Sequence, residues 1–394
     1  MKQVELICVT KNNNNKYYRM SENSDGTWTA TWGRVGASEN TMRYSMSVWD
    51  KKYNEKIKKG YKDITELKKE VKVTSFKDIE DKEVLDFLLE LKKYSKQALI
   101  DNYTVTSEQV TQAQIDKAQK ILNDLSYFMS KKTFNRSKID SYLTELYTTV
   151  PRRMNNVKNY LLNGDGDLNK ARQILMREQD SIDNMAQAVA TQNSSSEESV
   201  TLEEALNIEV QRITEEEKEL ILKSMGENSH RFKRAFRVVN KKTQPKFDGQ
   251  KNKSFKKWTK LLWHGSRNEN WLSILKFGLQ IRPTCAVYTG SMFGDGCYFA
   301  DKVQKSIGYT SLSGSYWANG KDRKGFLALF EVNTGMELRV EKHESWMYNL
   351  SEKVLKEKGQ YDSLFAKGGI DLRNNEYVVY NQNQCTIKYI VEIN

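Results

Sequence analysis

The sequence is poor in the residues that mark several common classes of protein. Its 394 residues include only four cysteines, three prolines and three histidines. The cysteines form no Cys-x-x-Cys pair, which argues against a disulfide framework or a zinc ribbon. No apolar run approaches the roughly 20 residues of a membrane span, and the apolar stretch near the N-terminus is too short for a secretory signal. We therefore expect a protein of a reducing compartment, with no metal and no membrane partner.

Positive charge is what the sequence has in excess. Lysine and arginine number 63 against 51 aspartates and glutamates, which gives a net charge of +12. This charge favours a polyanionic partner such as nucleic acid, although solvated lysine faces give many proteins the same balance. At this length, and with 38% hydrophobic residues, we expect two or three domains with separate cores.

The first part of the chain, residues 1–72, is predicted to be rich in β-strands. Short strand-like runs such as "VELICV" and "TWTATW" are separated by Asn, Ser, Asp and Gly. Within the second run Trp28, Ala30 and Trp32 alternate with polar residues, so they should share one face of a strand. A lysine-rich helix ending at Gly60 follows, and "KNNNNK" is predicted to be a surface hairpin loop without a functional role.

The rest of the chain divides into a helical part and a mixed part. Residues 78–192 carry apolar residues at helical spacing and should form a compact bundle. A stretch rich in Ser and Glu at 191–200 is predicted to be a flexible linker. Residues 201–394 show one strand-like run after another, which indicates a mainly antiparallel α+β domain. Their glycine-rich "TGSMFGDGCYFAD" lacks the G-x-G-x-x-G fingerprint, which argues against a Rossmann dehydrogenase.

Three motifs in this last part resemble, in order, the catalytic domain of the poly(ADP-ribose) polymerases: "LLWHGSRNENWLSILKFGLQIRP", "MFGDGCYFADKVQKSIGY" and "NNEYVVY". Upstream, "LLNGDGDLNKARQILMREQDSID" resembles the regulatory helical domain of the DNA-dependent members, and "TWGRVG" resembles their WGR domain. The resemblance implies a multidomain α+β protein similar to a short DNA-dependent member. Its parts would be a WGR domain (1–72), an all-α autoinhibitory domain (78–192) and an antiparallel α+β ADP-ribosyltransferase domain (201–394).

The resemblance also implies a site for NAD⁺, the substrate of these enzymes. Glu376 matches the catalytic glutamate, which would bind the nicotinamide ribose, polarise the donor and orient the acceptor. His264 matches the histidine that hydrogen-bonds the adenosine-side ribose; without the resemblance, a packed core histidine would be the better interpretation. The catalytic set would be Glu376, His264 and Tyr298. The NAD⁺-binding residues would be His264, Gly265, Ser266, Asn270, Tyr298, Lys305, Ser306 and Tyr309.

Three residues depart from the family pattern. Gln280 stands where the best-known members carry an arginine beside the adenosine ribose, so contacts there should be weaker. Ser291 replaces an aromatic residue that often precedes "MFG". Cys297 occupies a place that is usually aliphatic, and we expect it to pack as a small apolar residue instead of acting as a nucleophile.

By the same resemblance, Trp32 and Arg34 are expected on an exposed turn that reads DNA. The tryptophan would stack on a broken end, and the arginine would bind phosphate or link to the catalytic domain; packing of Trp32 under the lysine-rich helix is the structural alternative. Binding would be independent of sequence and directed to breaks with 5′-phosphates.

The function implied is DNA-break-stimulated transfer of ADP-ribose to proteins, including the enzyme itself, with elongation to poly(ADP-ribose) in the DNA damage response. Transfer of single ADP-ribose units, or a catalytically dead scaffold at DNA ends, are the alternatives, because a fold alone does not establish activity. The expected compartment is the nucleus for a eukaryotic source and the cytoplasm otherwise.

Overall fold

A computed structural model describes most of the chain. Ser291 and most of the predicted linker at 191–200 lie outside the described residues. Within the described part, no helix is both long enough and apolar enough to cross a membrane. The described residues are 2–68, 77–102, 110–130, 134–162, 167–192, 200–250, 255–281, 292–294, 296–316, 318 and 320–394.

The chain forms two compact units, each made of two stretches of sequence. The first unit consists of residues 1–74 and 96–193. The second consists of residues 75–95 and 194–394. These units do not follow the three predicted segments, because a short helical stretch upstream of residue 96 groups with the C-terminal part of the chain.

The first unit begins with an antiparallel five-stranded sheet. Its strands are β1 (Gln3–Thr10), β2 (Asn14–Glu22), β3 (Thr27–Arg34), β4 (Asn40–Ser45) and β5 (Lys62–Asp63), in the spatial order β4-β3-β2-β1-β5. Helix α1 (Trp49–Lys58) follows the fourth strand. As predicted, Trp28, Ala30 and Trp32 share one face of β3, where they pack with Trp49 of α1. The rings of Trp28 and Trp49 meet edge to face, with centroids 5.2 Å apart.

Helices complete the first unit. They are the last third of α2 (Lys82–Asn102), α3 (Gln112–Ser130), α4 (Arg136–Thr149) and α5 (Leu168–Gln192). The face of the sheet that carries Ile7, Val9 and Tyr17 shares one apolar core with α3, α4 and α5. A buried ion pair between Arg152 and Glu178, with nitrogen and oxygen 2.6 Å apart, lies in the same unit.

The second unit has two sheets, which confirms the predicted α+β class with largely antiparallel strands. Among the described residues of this unit, the strands are β6 (Ile208–Arg212), β7 (Phe232–Asn240), β8 (Thr259–Gly265), β9 (Cys297–Phe299), β10 (Gly325–Asn333), β11 (Glu337–Val340), β12 (Ser363–Ala366), β13 (Glu376–Val379) and β14 (Cys385–Ile393). One sheet has the order β6-β7-β14-β10-β8 and the other the order β11-β12-β13-β9. All neighbouring strands in them are antiparallel except β11 and β12.

Short helices surround these sheets. They are α6 (Leu202–Leu206), α7 (Glu215–Met225), α8 (Gln244–Asp248), α9 (Phe255–Trp258), α10 (Trp271–Phe277), α11 (Val303–Ile307) and α12 (Glu352–Gly359). The helix α7 begins with a capping box, because Thr214 accepts from the backbone N–H of Glu217 and the Glu217 carboxylate accepts from the N–H of Thr214. The capping box defines the residue at which α7 begins, upstream of β7 in the chain.

The first two thirds of α2 are an integral part of the second unit. Phe87 is fully buried there, with its ring centroid 4.5 Å from that of Phe236 in β7 and 5.9 Å from that of Phe326 in β10. Glu90, one turn further on, forms ion pairs with Arg234 at 3.0 Å and with Lys324 at 2.7 Å. The helix therefore covers an apolar face of the larger sheet and is fixed there at its polar edge.

We predict that Phe87→Ala selectively destabilises the second unit. The lost ring leaves a cavity between α2, β7 and β10, so the free energy of local unfolding should fall by about 3–5 kcal/mol. Leu89→Ala, on the exposed side of the same helix, is the control and should change it by less than about 0.5 kcal/mol. Hydrogen exchange of the β7 and β10 amides measures both values; equal effects of the two substitutions would contradict the packing described.

Candidate active site

The candidate site forms where β8, β9 and β13 of the second unit lie side by side. The backbone N–H of Trp263 in β8 donates to the carbonyl of Ala300 at 2.8 Å, and the reverse bond is 2.9 Å long. On its other side, β9 pairs with β13, so that Tyr298 faces Val378. His264, Tyr298 and Glu376, which are far apart in sequence, are thereby placed on three adjacent strands.

His264 is held by one directional hydrogen bond and by aromatic packing. Its Nδ1 lies 2.9 Å from the carbonyl oxygen of Tyr298, and since a carbonyl can only accept, Nδ1 must carry the proton. Burial lowers the pKa of His264 below its ordinary 6.5, so the ring is neutral near pH 7. Nε2 then keeps a lone pair that can accept a hydrogen bond from a hydroxyl group. The edges of Trp271, Phe299 and Phe330 fix the ring plane.

The glycine after His264 allows a very close backbone approach. A Cβ at Gly265 would overlap the carbonyl oxygen of Ser306 in α11. Gly265 is therefore required by the packing of α11 against β8, in addition to any ligand that approaches its backbone. Ser306 itself is buried. Close by in sequence, Ser266 Oγ accepts a hydrogen bond of 3.1 Å from Asn270 Nδ2.

The hydroxyl of Tyr298 is fixed by the chain segment that precedes β9. It donates to the carbonyl of Gly294 at 2.6 Å and accepts from the N–H of Phe293 at 3.2 Å. Gly294 has φ of +74°, and a Cβ there would overlap the backbone of Leu350. The orientation of the Tyr298 side chain therefore depends on this short segment.

Two residues that the sequence did not single out hold the same segment. Tyr380 donates its hydroxyl proton to the carbonyl of Phe293 at 2.5 Å. His343 places Nε2 at 2.7 Å from the carbonyl of Met292, and its ring contacts Tyr348 with centroids 4.3 Å apart. Histidine is scarce in this sequence, with three in all, so His343 could have been noticed as a candidate site residue. No motif marks His343 or Tyr380.

Glu376 is a buried carboxylate with a basic partner. The residue is 4% exposed, and Oε1 lies 2.5 Å from Nζ of Lys305 in α11. Burial raises the pKa of Glu376 above its ordinary 4.5, while the charge and hydrogen bond of Lys305 act in the opposite direction. Burial, helped by the charge of Glu376, also raises the pKa of Tyr309 to about 12, so Tyr309 stays protonated close to the carboxylate. Lys305, predicted as an NAD⁺-binding residue, is here the ionic partner of Glu376.

Two of the departures from the family pattern lie in the described residues. Gln280 is exposed, and its side-chain N–H donates to the carbonyl of Phe277 at 2.7 Å, close to the end of α10. Cys297 is buried, and a hydrogen bond with Cys385 together with burial raises the pKa of its thiol. A thiol in that state is a poor nucleophile, as expected for a packing residue.

Trp32 and Arg34 do not lie on an exposed turn, so that prediction is wrong. Both belong to β3 and both are partly buried. The ring of Trp32 lies 6.1 Å from that of Tyr18, within the small core under α1. The Arg34 guanidinium donates to the backbone carbonyls of Met154 and Asn155, at 2.9 Å from Nη2 in each case. These contacts join Arg34 to another segment of the first unit, and the expected contact with phosphate or with the catalytic domain stays a prediction.

Comparison with known proteins identifies the second unit. Residues 207–394 match the family described as poly(ADP-ribose) polymerase catalytic domain. Over 180 residues the chain is 35% identical to the poly [ADP-ribose] polymerase-like protein 100L of Invertebrate iridescent virus 6, which covers 44% of this chain and 91% of that protein. This chain belongs to the poly(ADP-ribose) polymerase family. It therefore has the catalytic domain of an ADP-ribosyltransferase that uses NAD⁺ as its substrate.

Cellular members of the poly(ADP-ribose) polymerase family match over a smaller share of their length. Poly [ADP-ribose] polymerase 2 of Homo sapiens is 33% identical over 157 residues, which are 34% of this chain and 26% of the enzyme. The poly [ADP-ribose] polymerase of Sarcophaga peregrina is 28% identical over 322 residues, or 72% of this chain and 31% of the enzyme. The latter match is longer than the catalytic domain and so extends upstream of it.

We predict that Lys305→Met moves the acidic limb of the pH–rate profile to higher pH. If the reaction needs ionised Glu376, turnover falls as the pH drops through the pKa of this carboxyl in the folded enzyme. Lys305 holds that pKa down, so removing its charge should raise it and turnover should be lost at a higher pH. Lys305→Arg keeps the charge and is the control. The measurement is NAD⁺ consumption against pH; the same acidic limb in both variants would contradict the electrostatic role of Lys305.

Proposed function

We propose that this chain transfers ADP-ribose from NAD⁺ to protein acceptors, itself included, in response to DNA strand breaks, and that it extends the product into poly(ADP-ribose). The observation that carries the proposal is the buried Glu376 carboxylate, ion-paired with Lys305 on a strand next to that of Tyr298. A carboxylate kept in an apolar site costs stability, and such groups are concentrated at functional sites.

Cleavage of NAD⁺ is favoured by a carboxylate beside the reacting sugar carbon. The bond between the nicotinamide nitrogen and the ribose carbon breaks, and its electron pair neutralises the pyridinium ring. The sugar carbon becomes oxocarbenium-like, and a nearby carboxylate stabilises that charge. A hydroxyl acceptor, as in chain elongation, then bonds through its oxygen to this carbon, and its proton passes to the Glu376 carboxylate. Glu376 would bind the ribose hydroxyl and stabilise this state, with its pKa set by burial against Lys305.

The remaining site residues would bind the parts of NAD⁺ that do not react. The rings of Tyr298 and Tyr309 would flank the cationic nicotinamide ring, an arrangement favoured by the negative faces of aromatic rings. Gly265 and Ser306 would hold the carboxamide. His264, neutral and with the proton on Nδ1, would accept a hydrogen bond at Nε2 from a hydroxyl of the adenosine-side ribose. The combination of His264, Tyr298 and Glu376 supports elongation over transfer of single units.

The DNA-binding surface that we propose lies on the N-terminal sheet and α1. Lys56 of α1 places its ammonium 4.0 Å from the ring centroid of Tyr18, and Lys52 lies 5.3 Å from that of Tyr44. Lysine ammonium groups at this surface offer contacts to DNA phosphates. Together with the net charge of +12, this favours sequence-independent binding to DNA phosphates, and the preference for breaks with 5′-phosphates is proposed from the resemblance alone.

Contacts within the first unit offer a route from this sheet to the helical segment. Asn15 of β2 is fully buried, and its side-chain N–H donates to the carbonyl of Arg152 at 2.9 Å. Arg152 in turn forms the buried ion pair with Glu178 of α5. Through this chain of contacts, and through Arg34, a change at the sheet would reach α5. We propose that the helical segment restrains turnover until DNA binds, in the nucleus if the source is eukaryotic.

We predict that Glu376→Gln separates chemistry from binding. The amide keeps the shape of the side chain but lacks the charge, so polymer synthesis should fall by about 100-fold or more while NAD⁺ affinity changes by less than about threefold. Labelled NAD⁺ with nicked DNA, followed by gel electrophoresis, measures the products, and calorimetry measures binding. Long polymers at the parental rate from Glu376→Gln would refute the assignment. Single labelled units from the parent would favour mono-transfer, and no labelling at all would favour the scaffold.

We predict that Arg34→Ala uncouples DNA binding from turnover. The loss of its bonds to Met154 and Asn155 should reduce stimulation at saturating nicked, 5′-phosphorylated DNA about fivefold or more, with a smaller change in basal turnover. Lys56→Ala is the matched variant: it should weaken DNA binding and its salt dependence, and saturating DNA should restore its turnover. Equal losses of basal and stimulated turnover in Arg34→Ala would indicate a folding defect and end the proposed link.

A further inference from the structure

The residue that precedes Glu376 bridges two neighbouring strand ends. Asn375 accepts a hydrogen bond of 2.9 Å at Oδ1 from the backbone N–H of Gly368, just after β12. Its Nδ2 donates to Oδ2 of Asp301, just after β9, at 2.7 Å. One amide side chain thus uses its acceptor on one side of β13 and its donor on the other.

From this geometry we infer that Asp301 and Asn375 are positioning residues that fix Glu376 for catalysis. The inference rests on the catalytic role proposed for Glu376. Neither residue is assigned to NAD⁺ or to the acceptor; both would act through the backbone of the strand that carries the carboxylate.

The register of the strands explains why these two side chains meet. In the pairing of β13 with β9, Tyr377 faces Phe299 and Val378 faces Tyr298. Continued in the same antiparallel register, the pairing places Asn375 opposite Asp301, beyond the last backbone pair. The side-chain bond therefore extends the ladder at the point where Glu376 begins β13. Without this bond, Glu376 would be the terminal residue of β13, and the ends of strands fray more readily than their interiors.

The two faces of β13 separate positioning from chemistry. Tyr377 and Val379 pack in one apolar cluster, and Val378 and Tyr380 pack in another, so the strand alternates as a buried strand should. Glu376 has the parity of Val378, and Asn375 has the parity of Tyr377. The Asp301–Asn375 bond consequently lies behind the strand, on the face opposite the carboxylate. It can set the backbone angle of Glu376 without occupying the space that a substrate needs.

A small displacement of Glu376 would be costly because its charge is buried and its ionic contact is short. The distance from Lys305 Nζ to Glu376 Oε1 is 2.5 Å, which leaves little freedom for the carboxylate. Misplacement of a catalytic group by about 1 Å can lower a rate by about 100-fold. A strand end with an extra cross-strand bond on both sides is a means of preventing such a shift.

Single substitutions test whether the bond matters for turnover. Asn375→Ala and Asp301→Leu should each lower kcat by about 10- to 100-fold and leave KM for NAD⁺ within about threefold, because substrate-binding groups are untouched. Asn374→Ala, one residue earlier, is the control and should keep the parental kcat. Melting temperature is recorded for every variant, so that loss of fold is separated from loss of position.

A polarity exchange provides the decisive measurement. Asn375→Asp alone sets two carboxylates against each other and should be the most impaired variant. Asp301→Asn combined with Asn375→Asp restores one donor and one acceptor, because Asn at 301 can donate to Asp at 375, which still accepts from Gly368 N–H. We expect the double variant to recover at least about tenfold in kcat over Asn375→Asp, a coupling that contact between the two side chains requires.

The outcomes distinguish the two levels of the proposal. Parental kcat in both Asn375→Ala and Asp301→Leu, or a folded double variant no better than Asn375→Asp, would overturn the positioning role. Glu376→Gln is assayed beside them: if it retained parental turnover, the proposed function would fail, whereas an inactive Glu376→Gln with fully active Asn375→Ala would refute the positioning role alone.

Discussion

The buried carboxylate of Glu376 constrains how the elements around it in the second unit can pack. Glu376 is 4% exposed, and an ionised group in such a place is strongly destabilising unless a partner offsets the lost hydration. Lys305 supplies the partner at 2.5 Å, which requires α11 to lie close against β8 and β13. That closeness in turn excludes any side chain at Gly265, where a Cβ would overlap the backbone of Ser306. The close packing of α11 and the glycine at this position therefore accompany the ion pair, and the reactivity proposed for the site depends on the same contact.

The first unit is organised by side chains that bond to backbone far away in sequence. Arg34 donates to the carbonyls of Met154 and Asn155, and Asn15 donates to that of Arg152. The stretch "KNNNNK" does form a hairpin turn, as predicted, but its asparagines are not simply a solvated loop: Asn13 Oδ1 accepts from the N–H of Val157 at 3.0 Å and from Arg34 at 2.9 Å. Backbone carbonyls between helices need donors, and short amides and a guanidinium at the end of a sheet provide them. A stretch of polar residues with little pattern thereby connects the sheet to the segment around Val157 through fixed hydrogen bonds.

Local patterns made parts of this structure predictable from the sequence. Alternation predicted that Trp28, Ala30 and Trp32 share one face, since this pattern depends on residues only two positions apart. The candidate site was found through motifs, with no residue-level pattern to reveal that Lys305 pairs with Glu376. What escaped prediction is long-range: the division of α2 between two units, the inward position of Arg34, and the hold of His343 and Tyr380 on the segment before β9. Each depends on which distant backbone groups lie nearby, and no local periodicity carries that information.

The two buried ion pairs show how the same chemistry can serve structure or reactivity. In the first unit Glu178 accepts two hydrogen bonds from Arg152, at 2.7 and 2.6 Å, one of 3.1 Å from Nη2 of Arg177 and one of 3.3 Å from Tyr147. With several donors around it, mostly at Oε1, this carboxylate has little capacity for another ligand, and removal of its arginine partner would be destabilising. Glu376 has Lys305 as its one ionic partner in the described part of the chain, and burial raises its pKa despite that partner. A carboxylate with acceptor capacity left over gains most when a hydroxyl and a developing positive charge arrive together. This is the state that cleavage of NAD⁺ presents, so the catalytic role proposed for Glu376 would use its free acceptor capacity.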